Sequence, residues 1–364
     1  MSFAQSCRCT CAEHALSADS NIRLTGAHVM TSSSISQFGL NPVRSLTSRA
    51  PAEPDERLQA LKRLIGKVTP QIGLNDVCKT SIPDLTFYRM DKLATPTYCI
   101  YEPCVAIILQ GAKEITFGEQ ACEFAQGSFF VTSVDIPTLA RVTAASEQTP
   151  YLSIVLKLDL SMLNDVIQTQ APLKQEATPE ARGFASGMAS SEMLDAFARL
   201  SALTGQPLEA GLMSDLIKRE ICVRLLLSCA GQWLRSVTRD GYRDKGIVRA
   251  IEWLKLHYDE PLHVAQLAQL SGMASSTLHH NFRKLTGTSP VQYQKSLRLQ
   301  AARSLMLTER VDVNTAALRV GYESVAQFSR EYARRFGAPP SRDIKYAREA
   351  GGRHDQPLRN GNSF

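Results

Sequence analysis

The chain has 364 residues, 44% of them hydrophobic and 21% charged, a composition that fits a globular protein with a sizeable core and leaves room for two or three domains. Its longest apolar run, Cys104–Leu109, is far short of the roughly 18 residues a membrane span needs. The net charge of +6 is uneven: residues 242–349 carry +7, residues 1–241 carry −2 and residues 350–364 carry +1. A basic module on a nearly neutral partner is the footprint of nucleic-acid binding.

Residues 1–55 are rich in Ser, Thr, Ala and Pro without periodicity and read as a disordered extension or as a stretch upstream of a later start such as Met30; no apolar stretch follows a basic start, so no signal peptide is expected. Cys7, Cys9, Cys11 and His14 form half of a metal motif and lack the second half, so no metal or other cofactor is expected. The nine cysteines, irregularly spaced, suit reduced thiols and a cytoplasmic location. Of the seven histidines none falls between residues 29 and 256. A Ser-His-Asp, Cys-His or histidine-metal site therefore cannot lie wholly in the middle of the chain.

From residue 57 the pattern becomes regular. Leu58, Leu61, Leu64, Ile65 and Val68 share a face of a helix over 57–69. Short strand-like runs follow at 104–110, 113–117, 121–124, 128–132, 138–143 and 151–158, punctuated by Gly111, Gly118, Gly127 and Pro137. Such spacing predicts an antiparallel sandwich or barrel, with residues 110–113 as a hairpin connection. Beyond Leu158 the strand signals stop, and helices are predicted over 159–170, capped by Asp159 or Ser161, then 191–204 and 209–235. The last has a wide apolar surface, part of which packs on the barrel or pairs with a second copy of the chain.

The last third reads as helices throughout. Residues 264–270, the break Ser271-Gly272-Met273 and residues 275–285 have helix-turn-helix spacing, with Ser275 as cap. Residues 313–320, the break Gly321-Tyr322-Glu323 and residues 325–336, capped by Ser324, repeat it 49 residues later, joined through a helix over 290–307. Two such units on one face enter successive major grooves about 34 Å apart. On the outward faces Arg330 suits guanine O6 and N7, while Ser276, His279, His280 and Ser329 can donate to or accept from several bases. Arg283, Lys284, Arg334 and Arg335 are placed for phosphates.

At this length the C-terminal third resembles the DNA-binding domain of the AraC/XylS family of transcription regulators. Leu267-Ala268, Gly272-Met273, Phe282-Arg283, Thr286-Gly287 and Ser289-Pro290 carry the resemblance, with Val320-Gly321-Tyr322-Glu323-Ser324 and Gln327-Phe328-Ser329-Arg330-Glu331-Tyr332. The family's base-contacting positions then fall on Ser276, His279 and His280 in the first unit and on Val325, Ser329 and Arg330 in the second; apolar Val325 and Ala326 would read thymine methyls. Tyr101-Glu102-Pro103, residues 107–113, Asp135-Ile136-Pro137 and Pro150-Tyr151-Leu152 are similar to the N-terminal domain of one subgroup, which is cupin-like.

The resemblance implies a two-domain α+β protein. An N-terminal cupin-like β-barrel with following helices (residues 56–240) precedes a C-terminal all-α double helix-turn-helix (241–349) and a tail (350–364). The expected function is a sequence-specific, effector-responsive transcription regulator, with the sign of regulation open and activation the working assignment. Its expected partners are double-stranded DNA, RNA polymerase, a small-molecule effector and a second copy of the chain, with no membrane. Tyr101, Cys104, Gln110, Lys113 and Asp135 are candidate effector-site residues at strand ends. The rival reading is a thiol-dependent enzyme or DNA-repair acceptor on the same DNA-binding fold, which needs a cysteine activated by a nearby base; a non-specific architectural DNA-binding protein is a further rival.

Overall fold

The computed structural model describes residues 54–93, 96–118, 120–169, 183–239 and 244–349. The candidate metal half-motif at residues 7–14 lies outside them, and the described residues hold no cluster of metal-ligating side chains. No helix among them is long and apolar enough to cross a membrane.

Helix α1 (Pro54–Ile72) precedes the strands β1 (Val77–Lys79), β2 (Leu85–Met90), β3 (Thr97–Tyr101), β4 (Cys104–Gln110), β5 (Ala112–Phe117), β6 (Gln120–Ala125), β7 (Ser128–Thr132), β8 (Ile136–Ala144) and β9 (Tyr151–Lys157). After α2 (Leu160–Gln168) comes one more strand, β10 (Phe184–Met188), then α3 (Ser191–Ala202), α4 (Pro207–Leu227) and α5 (Gly231–Arg239). The strands form two antiparallel sheets, one of six in the order β1-β2-β9-β4-β7-β10 and one of four in the order β3-β8-β5-β6. The barrel is cupin-like, and backbone pairing does not close it.

Period-two alternation explains how the six-stranded sheet is filled. Six of the seven residues of β4 are buried, on both faces. Val105, Ile107 and Leu109 point into one core with Phe129 and Val131 of β7 and Leu152, Ile154 and Leu156 of β9. That core is covered by α1, through Leu61, Leu64 and Val68, and by α3 and α4. Cys104, Ala106 and Ile108 point the other way, into the space between the sheets, with Phe130, Tyr151 and Val155. A strand buried on both faces reads as a continuous apolar run.

Three sequence expectations change. Residues 110–113 are not a hairpin connection: β4 pairs with β7 and β9, whereas β5 pairs with β6 and β8, so the chain turns a corner between sheets at Gly111. Gly111 has φ +76°, and a Cβ there would lie 2.3 Å from the Ala144 carbonyl oxygen. The strand signals do not end at Leu158, because β10 pairs along the whole of β7; its Phe-Ala-Ser-Gly-Met sequence alternates too weakly to show from the residues. The helix expected over 209–235 is two helices, broken after Leu227 where Gly231 packs so closely that a Cβ would meet the Leu226 carbonyl oxygen at 1.9 Å. Asp159 caps α2, accepting from the Ser161 and Met162 amides.

The remaining helices are α6 (Asp244–Leu256), α7 (Val264–Leu270), α8 (Ser275–Thr286), α9 (Pro290–Thr308), α10 (Val313–Arg319), α11 (Val325–Phe336) and α12 (Pro340–Glu349). Residues of α6, α7 and α8 complete the core between the sheets: Ile251, Leu254, Leu267, Phe282 and Leu285 belong to the same buried cluster as Phe117, Phe130 and Ile136. A third core lies among α9 to α12 around Phe328, Tyr332 and Ala316. The first helical unit therefore shares its core with the barrel, and the second has its own.

The Gly111 corner supplies a stability test. Gly111→Ala meets both an unfavourable φ and backbone contact, whereas Gly205→Ala meets only φ +84° with nothing within 4 Å. Gly205→Ala is expected to cost about 1 kcal/mol and Gly111→Ala about 3 kcal/mol or more, measured from urea unfolding midpoints. Equal losses would show that the corner is not close-packed.

Candidate nucleic-acid interface and barrel interior

The two helix-turn-helix units are built on one hydrogen-bond scheme. In the first, the Gly272 amide donates to the Gln269 carbonyl and the Met273 amide to the Ala268 carbonyl, both at 3.0 Å. In the second, Gly321 donates to Leu318 and Tyr322 to Ala317, again at 3.0 Å, so the turns repeat at 49 residues. Both glycines lie in the left-handed region, at φ +66° and +81°, which favours glycine at the break.

The helices that follow repeat at a different interval. Ala274, not Ser275, is the N-cap of α8, and it has no side chain to accept a hydrogen bond; Ser275 is already helical. Ser324 does cap α11, accepting from the Gln327 amide. The C-caps Gly287 and Gly337 agree with an interval of 50, and Glu323 is the extra residue between turn and cap.

This register sorts the outward faces. Leu278, Phe282 and Leu285 point inward from α8, and Phe328, Tyr332 and Arg335 hold the equivalent positions on α11. Ser276, His279, His280, Arg283 and Lys284 are exposed on α8, and Arg330 and Arg334 on α11. Ser329 is half-buried beside Arg330. Val325 is half-buried against the third core, while Ala326, equivalent to Ser276, is exposed. The interval of 50 between the caps makes Ala326, not Val325, the counterpart of Ser276.

Arg335 does not lie with the other basic residues. Its guanidinium carbon sits 3.6 Å from the centroid of the Tyr98 ring on β3, and Phe336 meets the same ring edge-on at 6.2 Å. Burial lowers its pKa from the ordinary guanidinium range. In this arrangement Arg335 fastens α11 to the barrel and is turned away from a phosphate-facing position, because it occupies the inward place that Leu285 has in α8. Tyr98, Lys295, Glu331, Arg334 and Arg335 line a small polar pocket of about 190 Å³ there.

α9 and α12 brace the second unit. Glu331 on α11 accepts from Lys295 at 2.7 Å, from the Tyr322 hydroxyl at 2.8 Å and from Gln327 at 3.2 Å. Burial opposes its charge, but these donors hold the carboxyl below its ordinary range. Asp343 on α12 likewise accepts from Arg303 and from the Tyr332 hydroxyl.

The five candidate effector residues separate. Lys113 and Tyr101 come together between the sheets: the ammonium donates to the Tyr101 hydroxyl at 3.0 Å and lies 5.7 and 5.8 Å from the Tyr101 and Tyr151 ring centroids. Burial opposes the charge of Lys113, and the hydrogen bond to the Tyr101 hydroxyl together with the faces of the two rings offsets it. Burial also pushes the Tyr101 phenol up. Gln110 instead donates to the Pro150 carbonyl beside the Gly111 corner. Asp135 receives Lys255 of α6 at 2.9 Å, and its backbone carbonyl accepts from the Tyr293 hydroxyl of α9. It joins the barrel to the first helical unit, and burial raises its carboxyl pKa against the pull of Lys255. Cys104 is buried beside Thr132, and burial pushes its thiol up to about 12.

Comparison with known proteins follows the same division of the chain. Residues 81–233 match a family profile described as the AraC-type transcriptional regulator N-terminus, and residues 267–345 match one described as a helix-turn-helix domain. The chain belongs to the AraC/XylS family. Among curated relatives, the probable thc operon regulatory protein of Rhodococcus erythropolis is 38% identical over 106 residues, 28% of this chain and 31% of that protein. The HTH-type transcriptional regulator CdhR of Pseudomonas aeruginosa is 33% identical over 112 residues, 31% of this chain and 33% of that one. The chain thus spans about a third of the length of the curated relatives it matches. The crystal structure of unsaturated fatty acid bound ToxT from Vibrio cholerae superposes with a TM-score of 0.51 at 12% identity, covering 71% of this chain and 94% of that one. That likeness is one of fold.

The raised pKa of Cys104 is checked by alkylation. At pH 8 a thiol titrating near 12 is thiolate in only about one molecule in ten thousand, so iodoacetamide is expected to leave Cys104 unmodified until the protein is denatured. Mass spectrometry finding rapid native-state labelling of Cys104 would contradict its burial.

Proposed function

We propose that this AraC/XylS-family protein is a sequence-specific DNA-binding transcription regulator whose barrel responds to a small-molecule effector. The observation that carries the reading is the repeated turn geometry, which presents the polar faces of α8 and α11 from one braced helical body. Ser276, His279, His280, Ser329 and Arg330 read base edges in successive major grooves, with Val325 or Ala326 against thymine methyls. Arg283, Lys284 and Arg334 take phosphates; Arg335 joins them only if α11 leaves Tyr98.

The effector contacts Lys113 and Tyr101, whose charged and hydroxyl groups lie among apolar and aromatic side chains between the sheets. Because the core between the sheets includes α6 to α8, a ligand there changes the packing under the first reading unit and biases DNA occupancy. Asp135, through Lys255 and Tyr293, is part of the same connection. Activation is the role named for the Escherichia coli relative RhaS, 30% identical over 99 residues, and RNA polymerase is the partner through which an activator works. A cytoplasmic location suits DNA binding. No enzymatic role is proposed: the high pKa of Cys104 argues against a thiol nucleophile there.

A second copy of the chain is the partner for α4. Leu208 is 80% exposed, Leu212 70%, Leu216 61% and Leu227 68%, a stripe on one side of a helix whose other side is buried. Turned antiparallel against itself, the stripe sets Leu208 near Leu227, Leu212 near Val223 and Asp215 near Arg219.

Two measurements test these readings. Selection of bound sequences from a random DNA library is expected to return a two-part motif. Arg330→Ala should then cost about 1–3 kcal/mol and relax preference at one position, while Lys284→Ala weakens all sites and lowers the salt slope by about one. Binding of random DNA as tightly as the selected motif would favour the architectural rival. Leu212→Glu is expected to shift a dimer to monomer in light scattering; a wild-type monomer at micromolar concentration would remove the α4 interface.

A further inference from the structure

The two reading units could be connected loosely through α9, with the DNA itself setting their separation. The hydrogen bonds of one side chain argue otherwise. Arg298, on α9, donates from Nε to the Tyr258 carbonyl at 2.6 Å and from Nη2 to the Glu260 and Asp259 carbonyls at 2.7 and 3.2 Å. From Nη1 it donates to the Gly321 carbonyl at 2.7 Å. Tyr258, Asp259 and Glu260 belong to the segment that leads from α6 into the first helix-turn-helix, and Gly321 is the turn of the second.

The two backbones are also in direct contact. A Cβ on Gly321 would lie 1.9 Å from the Asp259 carbonyl oxygen and 3.0 Å from Arg298 Nη2, so no other side chain fits at that turn without movement. The Arg298 guanidinium lies 5.8 Å from the Tyr322 ring centroid. Burial lowers the pKa of Arg298, and among the described residues no carboxylate pairs with it in an ion bridge, so backbone carbonyls are what satisfy its donors.

Neighbouring contacts of α9 reach one unit each. Gln294 donates to the Glu260 and His257 carbonyls, on the side of the first unit. Lys295 pairs with Glu331 of α11, on the side of the second. Arg298 holds both at once, and the planar fork suits that task where a lysine ammonium, with its donors on one atom, does not.

We propose that Arg298 is a spacing-determining residue: it fixes the separation and angle of α8 and α11, and hence the number of base pairs between the two parts of the operator. The inference rests on the reading of α8 and α11 as the base-reading helices. Successive major grooves recur about every 10–10.5 base pairs, so a rigid connection penalises an operator that is one base pair too long or too short. Arg298 touches no base in this reading; it acts by positioning.

The test uses the full chain. The preferred operator is first selected from random DNA with the wild-type protein, and affinity is then measured for that operator and for versions with one base pair inserted or deleted between its two parts. Wild type is expected to prefer the selected spacing by about tenfold or more, and Arg298→Lys and Arg298→Met by less than about threefold. Each preference is a ratio within one preparation, so partial unfolding of a variant cancels. Variants that melt earlier yet keep the wild-type ratio would overturn the proposal and leave Arg298 a structural residue. A wild-type selection without a two-part motif would instead remove the base-reading assignment on which it rests, an outcome distinguishable because it appears before any variant is made.

Discussion

The central strands of the larger sheet are apolar on both faces, and the rest of the molecule is arranged to cover them. β4 and β9 alternate Val105, Ile107, Leu152 and Ile154 toward α1, α3 and α4 with Ala106, Ile108, Tyr151 and Val155 toward the smaller sheet. At about 25 cal/mol per Å² of apolar surface, leaving either face open would cost more than a domain's usual net stability. The helices of the N-terminal half cover the first face. The smaller sheet covers part of the second, and α6 to α8 complete it.

That arrangement makes the first helix-turn-helix part of the barrel's own core. The cost of separating them includes exposure of Ile251, Leu267, Phe282 and Leu285, as well as loss of the Lys255–Asp135 ion pair. The second unit is held less intimately, by Arg335 on the Tyr98 ring and by α9. The barrel thus touches α8 through a shared core and α11 through the Tyr98–Arg335 contact, while Arg298 ties the two helical units to each other.

Much of the architecture was legible in the residues. The continuous run Cys104–Leu109, the Asp159 cap and the Gly-containing breaks at Gly272 and Gly321 are local signals, and the elements form where they indicate. β10 was not legible, since Phe184–Met188 has small residues and gains its pairing from β7. Residues 110–113 resemble a hairpin connection because a glycine turn looks the same whether its flanking strands pair with each other or leave for different sheets. Serine favours the cap position, which marks Ser275, but the chain enters α8 one residue earlier.

Sequence by itself determined the two repeated units, the apolar strands and the family, and nominated candidate side chains for bases and phosphates, because each depends on residue type at short spacing. Tertiary structure alone decided which of those side chains stay available. Arg334 and Arg335 are adjacent and chemically identical, yet the 3.6-residue turn of α11 sends one to solvent and the other onto Tyr98, more than 230 positions earlier in the chain. Asp135 and Lys113 were both polar groups near strand ends; their separation into an interdomain ion pair and a barrel-interior ammonium follows from which helix packs over each. Long-range packing sets those environments, and no local pattern encodes them.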